Sequence, residues 1–318
     1  MKIILITPAK KYSKNGNRTT ALRWSKILRK LGHKVTIDIE YRGGKADLMI
    51  ALHAWRSAES IKEFKHSCPS GKIIVALTGT DFNEFMHSHP ETTLCSMEYA
   101  NRLVCLHDQV ARVLPRKFHS KLRVIYQSAV SLKKQYTKSL VYFDVCLVAH
   151  MRAVKDPVRG PLAVRLVNKN SRLRIVHLGK AHDETWEKWA KEEEKNNPRY
   201  VWRGEKVSAE VRRVISKSQL LLVSSRSEGG ANVISESLAL GTPIIASDID
   251  GNIGMLGNKY PGYYKVGDEK ELKKILIKCE IEPDFLRELR EHCQNRALLI
   301  SLSEETSRWS AIIRELSN

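Results

Sequence analysis

No stretch of this chain approaches the roughly 20 apolar residues of a membrane span, and its opening, MKIILITPAKKYS, turns polar too early for a secretory leader. A soluble, cytoplasmic protein is expected. The six cysteines (Cys68, Cys95, Cys105, Cys146, Cys279 and Cys293) include no C-x-x-C pair. That spacing argues against a zinc ribbon, a thioredoxin-type redox site and a disulfide scaffold, and predicts reduced core residues. No G-x-x-x-x-G-K-[ST] phosphate loop is present. Aromatic residues make up only 7% of the chain, and many fall in apolar cores, which is thin support for bases stacked between Lys and Arg on one face. Acidic residues are also few beside basic ones, 35 against 54, for a net charge of +19. Such a field attracts phosphates in nucleic acid, lipid headgroups or small metabolites, and by itself selects no partner.

What is present is alternation. Short apolar runs trade places with amphipathic stretches, the pattern of parallel sheets with helices on both faces. At 318 residues and about 150 per domain, two domains are expected. Strands are predicted over 2–7, 34–39, 47–53, 72–78, 102–106 and 122–127 in the first half. The second half carries 144–150, 173–178, 200–202, 219–224 and 242–247. A helix is expected over 18–31, where Leu22, Ile27, Leu28 and Leu31 recur at helical spacing, and another over 303–316. The polar, basic stretch 130–142 reads as a linker. Two such sheets predict ligands in a cleft between their carboxyl edges.

The stretch SEGGANVISESLALGTPIIASD, residues 227–248, reads as turn, helix and strand. Gly241 just past the last periodic residue, followed by Pro243, is a helix stop. Glu228 then lies in the turn and Glu236 one turn into the helix, on the face of Asn232. Gly229 and Gly230 permit close approach to the backbone, and free amides at the helix start suit phosphate. A nucleotide sugar fits all three features, with diphosphate on the amides and the carboxylates on sugar and ribose hydroxyls. Taken alone, the two glutamates read as a capping residue and a solvated helix residue, since glutamate is common in helices. The loop AHMRAVKDP, 149–157, adds Arg152 and Lys155 after a strand, placed to neutralise a leaving diphosphate. Asp248 and Asp250 form D-x-D, but with two cations already covering the phosphate a metal site is not expected there.

Three first-half loops follow strands. AKKYSKNGNRTTA, 9–21, holds Gly16, Asn17 and Arg18; ALHAWRSAES, 51–60, holds His53 and Arg56; ALTGTDF, 76–82, holds Thr78, Gly79, Thr80 and Asp81. Polar strand ends converging on one sheet edge read as a second substrate wall.

Residues 227–247 with HMRAVKDP upstream resemble the donor half of retaining glycosyltransferases of family 4, which have the GT-B fold of two Rossmann-like domains. With MKIILITPAK, GNRTTALRW, LMIALHAWRSAESI, IVALTGTD, RVIYQSA, LVAHMRAVKDP and YPGYYKVGD added, the whole chain resembles the SenB-type selenosugar synthases of selenoneine biosynthesis. The resemblance implies transfer of the sugar of a UDP-sugar such as UDP-N-acetylglucosamine to selenophosphate, giving a 1-selenosugar, UDP and phosphate. It implies an acceptor-side domain over 1–135, a UDP-sugar domain over 136–302 and a terminal helix, 303–318, packed back on the first. Donor contacts then fall to Arg152, Lys155, Glu228, Gly229, Gly230, Ala231, Asn232 and Glu236. Glu228 would hold sugar hydroxyls, Glu236 the ribose, and Arg152 and Lys155 the diphosphate. The acceptor side is Gly16, Asn17, Arg18, His53, Arg56, Thr78, Gly79 and Thr80. Arg18, Arg152 and Lys155 would stabilise charge, and His53 or Asp81 would carry a proton. No cofactor, metal, nucleic-acid partner or membrane insertion is implied. Asp248 and Asp250 depart from the expected pattern after PIIAS, and oligomeric state is not specified. Two rivals remain at this point: a family 4 enzyme acting on a lipid or sugar hydroxyl, and a basic nucleic-acid-binding protein.

Overall fold

The computed structural model describes residues 1–12, 16–132 and 136–317. Two compact units result, one of Met1–Gln127 with Ser301–Asn318 and one of Ser128–Ile300. Ser13–Asn15, in the first polar loop, and Lys133–Gln135, in the linker, lie outside the described residues.

In the first unit the apolar runs become β1 (Lys2–Ile6), β2 (Lys34–Asp38), β3 (Leu48–Leu52), β4 (Lys72–Ala76), β5 (Arg102–Cys105) and β6 (Leu122–Val124). They form one parallel sheet in the order β2-β1-β3-β4-β5-β6. Every residue of β3 is buried, as expected of a central strand covered on both faces. The second unit has β7 (Phe143–Val148), β8 (Leu173–Leu178), β9 (Tyr200–Trp202), β10 (Leu220–Val223), β11 (Ile244–Ser247) and β12 (Tyr263–Tyr264). These are parallel in the order β12-β11-β10-β7-β8-β9.

Most strands end one to three residues before the apolar run does. Thr7, His53, Leu77 and Ile125 still bond to a neighbouring strand through their amides before the chain turns away. Apolar patterning persists there because the loops themselves are packed. The strand β12, two residues long, has no run to betray it. Around the first sheet the helix Gly16–Lys30 buries Ala21, Trp24, Ile27 and Leu28. The terminal helix Leu302–Ser317 buries Trp309, Ile312, Ile313 and Leu316 into the same core.

That terminal helix is fixed by more than apolar area. Trp24 and Trp309 meet edge to face, with centroids 4.8 Å apart, and the Trp24 indole N–H donates to the buried Glu305 carboxylate at 2.9 Å. The exposed end is held by Glu315, which accepts from both Arg102 and Arg123. Trp309→Ala is expected to destabilise the first unit by about 3–5 kcal/mol, the usual cost of truncating a buried tryptophan. Chemical unfolding of the full chain checks this.

Candidate active site

In each sheet the strand order reverses once. In the second unit β7, β8 and β9 proceed one way and β10 is laid on the other side of β7. In the first, β1 and β2 proceed one way and β3 pairs on the far side of β1. The loops leaving the two strands at a reversal diverge, opening a crevice at the carboxyl edge. The residues singled out from sequence lie on the loops at or beside these two places.

In the second unit the crevice is bounded by 149–157 after β7 and 224–231 after β10. A short helical turn, Ala153–Lys155, follows the exposed Arg152. Lys155 is ion-paired with Glu228, both largely buried, and Ser225 Oγ donates to the same Glu228 oxygen at 2.6 Å. The two loops are joined along their backbones as well. Arg226 N–H donates to Val154 O at 2.8 Å, and Ser224 Oγ donates to Lys155 O at 2.9 Å. On its other side Ser247 Oγ donates to Ser225 O at 2.5 Å, while buried Asn252 donates to Ser247. Gly251 allows this approach, since a Cβ there would stand 2.4 Å from Glu228 O.

Gly230 takes φ +121°, and Ala231 leads into the helix Asn232–Leu240, which ends on left-handed Gly241. The helix therefore presents its amino end at the crevice, with half-buried Asn232 and Glu236 on successive turns of one face. Lys155 spends one of the three N–H donors of its ammonium group on Glu228. His150 is a neighbour the sequence reading passed over. Its Nδ1 accepts from Lys180 N–H at 3.0 Å. Burial, together with the cations Arg152, Lys155 and Lys180, holds its imidazole below the ordinary range against the pull of Glu205. Asp248 accepts from the Val266 amide at 2.9 Å, and Asp250 opens the helix Asp250–Leu256. Among the described residues no group of three His, Cys, Asp or Glu is placed to hold a metal.

In the first unit the focus is a buried pair. His53 Nδ1–H donates to Asp81 Oδ1 at 2.7 Å, and both side chains are almost wholly buried. Asp81 also accepts from Trp55 N–H at 3.3 Å, Thr78 N–H at 2.7 Å and Thr78 Oγ at 3.1 Å. With the Nδ1 proton committed, His53 Nε2 is the lone-pair nitrogen, and Thr80 Oγ at 3.0 Å and Arg56 Nε at 3.3 Å point at it. His53 stands at φ +80°, which costs a residue with a Cβ about 1–2 kcal/mol. Asp81 opens a π-helical turn, Asp81–Phe85. Both are departures of the kind that collect at functional sites. Beside them Trp55 stacks on Phe85, with centroids 4.2 Å apart, and Arg56 lies 5.5 Å from the Phe85 ring.

Gly16, Asn17 and Arg18 form the first turn of the helix after β1, with Asn17 and Arg18 half-buried, on the strand that neighbours β3. The structure thus joins His53, Arg56, Thr78, Thr80 and Asp81 through direct bonds, with Gly79 between the two threonines. Arg18 stands in the first turn of the adjoining helix. It separates the roles of His53 and Asp81, since Asp81 is enclosed by donors and holds the imidazole, whereas Nε2 is the basic atom. Trp55 and Phe85 are additions, legible only in that LHAWR carries an aromatic beside its two polar residues.

Two parallel α/β units, each with polar loops gathered at a strand-order reversal, define the GT-B architecture. Residues 131–298 match the family Glycosyl transferases group 1, and the chain belongs to that family. Its fold is similar to Anabaena HepE crystallised with UDP and glucose, at 12% identity and TM-score 0.75, covering 99% of this chain and 100% of that one. Sucrose-phosphate synthase from Thermosynechococcus elongatus is similar at 14% identity and TM-score 0.79, covering 99% and 98%. A Rickettsia africae glycosyltransferase is similar at 15% and 0.77, covering 100% and 98%. No curated protein sequence is close enough to match. None of the described helices is long and apolar enough to cross a membrane.

One buried group behind the loop 149–157 titrates. His177, on β8, accepts at Nδ1 from Tyr200 OH at 2.8 Å and donates from Nε2 to Ala149 O at 2.9 Å. Burial pushes its imidazole down to about 4. The unfolded chain therefore binds more protons than the folded one between pH 6.5 and about 4, and stability falls as pH falls through that window. The full shift is worth about 3 kcal/mol. Unfolding measured from pH 7 to 4 is expected to show a shallower decline in His177→Phe than in the unchanged chain.

Proposed function

We propose that this chain is a selenosugar synthase. It transfers the sugar of a UDP-sugar, of the UDP-N-acetylglucosamine type, to selenophosphate in selenoneine biosynthesis. The observation that carries the reading is the division of chemistry between the units. One presents a helix amino end with Lys155, Arg152, Glu228 and Glu236, suited to a sugar diphosphate. The other presents Arg56, Thr80 and the His53–Asp81 pair, suited to a small anion. Support for a UDP-sugar donor comes from the family and from HepE, a similar fold crystallised with UDP and glucose. Support for selenophosphate comes from the chain-long sequence resemblance.

Selenium attacks the anomeric carbon as the bond to the UDP oxygen breaks. A soft anion needs orientation here more than deprotonation, which Arg18 and Arg56 supply. Charge building on the departing diphosphate is met by Lys155, Arg152 and the amides of Gly229 to Asn232. Water then attacks phosphorus. Its proton passes to His53 Nε2, its oxygen leaves with phosphate, and the selenolate departs on the sugar and takes up a proton. Asp81 holds the imidazole tautomer throughout. This chemistry asks for no cofactor and no metal.

The same base suits a hydroxyl acceptor, so the pair His53–Asp81 also fits an ordinary family 4 transfer to a lipid or sugar. Incubation with UDP-N-acetylglucosamine and selenophosphate, or thiophosphate as surrogate, followed by mass spectrometry, separates the two. A selenium- or sulfur-bearing sugar with stoichiometric UDP is expected, and UDP release only with hydroxyl acceptors would overturn the selenium assignment. Lys155→Ala is expected to lower kcat/KM by about 100-fold, the usual worth of one such contact. His53→Ala is expected to slow turnover by at least about 100-fold, with sugar bearing an unhydrolysed Se–P or S–P bond accumulating.

A further inference from the structure

Lys155 closes a short helical turn after β7, and its backbone oxygen accepts from Ser224 Oγ on the facing loop. The residue that follows it is buried. Asp156 adopts φ +42°, ψ +54°, in the left-handed region that costs most residues energy and asparagine and aspartate least. Were conformation the only demand at this position, glycine would meet it more cheaply. The carboxylate must answer to something else.

Its Oδ2 accepts from Arg159 Nε at 3.1 Å and Arg226 Nη2 at 3.3 Å, and its side chain is only 3% exposed. Arg226 belongs to the opposite loop, where its own amide donates to Val154 O. Arg159 reaches on to Glu269, at the start of the helix Glu269–Ile281 that Asp268 caps. One buried carboxylate therefore ties the cation loop, the Glu228 loop and a helix of the packed framework into a single body. A buried carboxylate between two guanidinium groups is among the stronger side-chain ties, and losing one partner leaves the others uncompensated.

We propose that Asp156 is the positioning residue of the diphosphate site: it fixes the direction of Lys155 by locking its loop to the Glu228 loop. This rests on the reading of the second unit as a UDP-sugar site. A positioning role acts on the phosphates alone, so the ratio of UDP to uridine affinity distinguishes it from general support of the fold.

Calorimetric titration of the full chain with UDP and with uridine tests it, using Asp156→Asn, Asp156→Gly and Arg226→Gln. Asparagine keeps the left-handed backbone and one acceptor but not the charge, and is expected to lose UDP affinity by about threefold, less than glycine does, with uridine unchanged. Glycine keeps only the backbone and is expected to lose about tenfold or more for UDP, with uridine within about twofold. Arg226→Gln, a change to a half-exposed side chain that threatens folding least, is expected to lose UDP affinity by about threefold while sparing uridine. UDP binding by Asp156→Gly equal to that of the unchanged chain would overturn the proposal alone, as would equal losses for UDP and uridine. Failure of the unchanged chain to bind UDP would overturn the donor reading, and this proposal with it.

Discussion

Parallel strands can be joined only by crossovers, and a crossover of fixed hand carries the chain to one face of the sheet. Where successive crossovers advance in one direction, each loop overlies its neighbour. Where the direction reverses, two adjacent strands send their loops to opposite faces, and a gap is left that no backbone fills. Each of the two sheets has such a reversal, between β1 and β3 and between β7 and β10. The polar loop residues from Arg18 and His53 to Lys155 and Glu228 take their places from that geometry.

An open crevice would be of little chemical use if its loops wandered. In the second unit the remedy is mutual bonding, with Ser224 and Arg226 on one loop meeting the backbone of 154–155 on the other. In the first unit it is a strained backbone at His53. His53 keeps a backbone conformation that disfavours it because Asp81 fixes its ring, and because Asp81 is itself enclosed by Thr78 and Trp55. Strain of this kind persists only where several bonds determine it together. Both devices trade conformational freedom for direction, the quantity on which transition-state charge stabilisation depends.

The strands were legible because central parallel strands are buried on both faces and read as unbroken apolar runs. The end of the helix Asn232–Leu240 was legible, since Gly241 and Pro243 punctuate it. Glu228 and Lys155 could each be singled out by local context, but their ion pair joins positions far apart in sequence and no local pattern encodes it. Asp156 was hidden because Asp before Pro reads as an ordinary turn. His53 and Asp81 were visible as polar strand ends, whereas their division of roles needed the bonds that enclose Asp81. Trp55 and Phe85 stack across two loops, and β12 is too short to carry a pattern.

The terminal helix has a consequence for how the chain is made. The first unit runs from Met1 to Gln127 and is finished only by Ser301–Asn318, whose Trp309, Ile312 and Ile313 fill the same core as Trp24 and Ile27. During synthesis the first unit therefore waits, with part of its apolar core open, while all of the second emerges. The second unit is continuous in sequence and has everything it needs before the last helix leaves the ribosome. Order of synthesis and order of completion are thus inverted, and the waiting half, with Trp24 exposed, is the part of this molecule for which a chaperone would have most to cover.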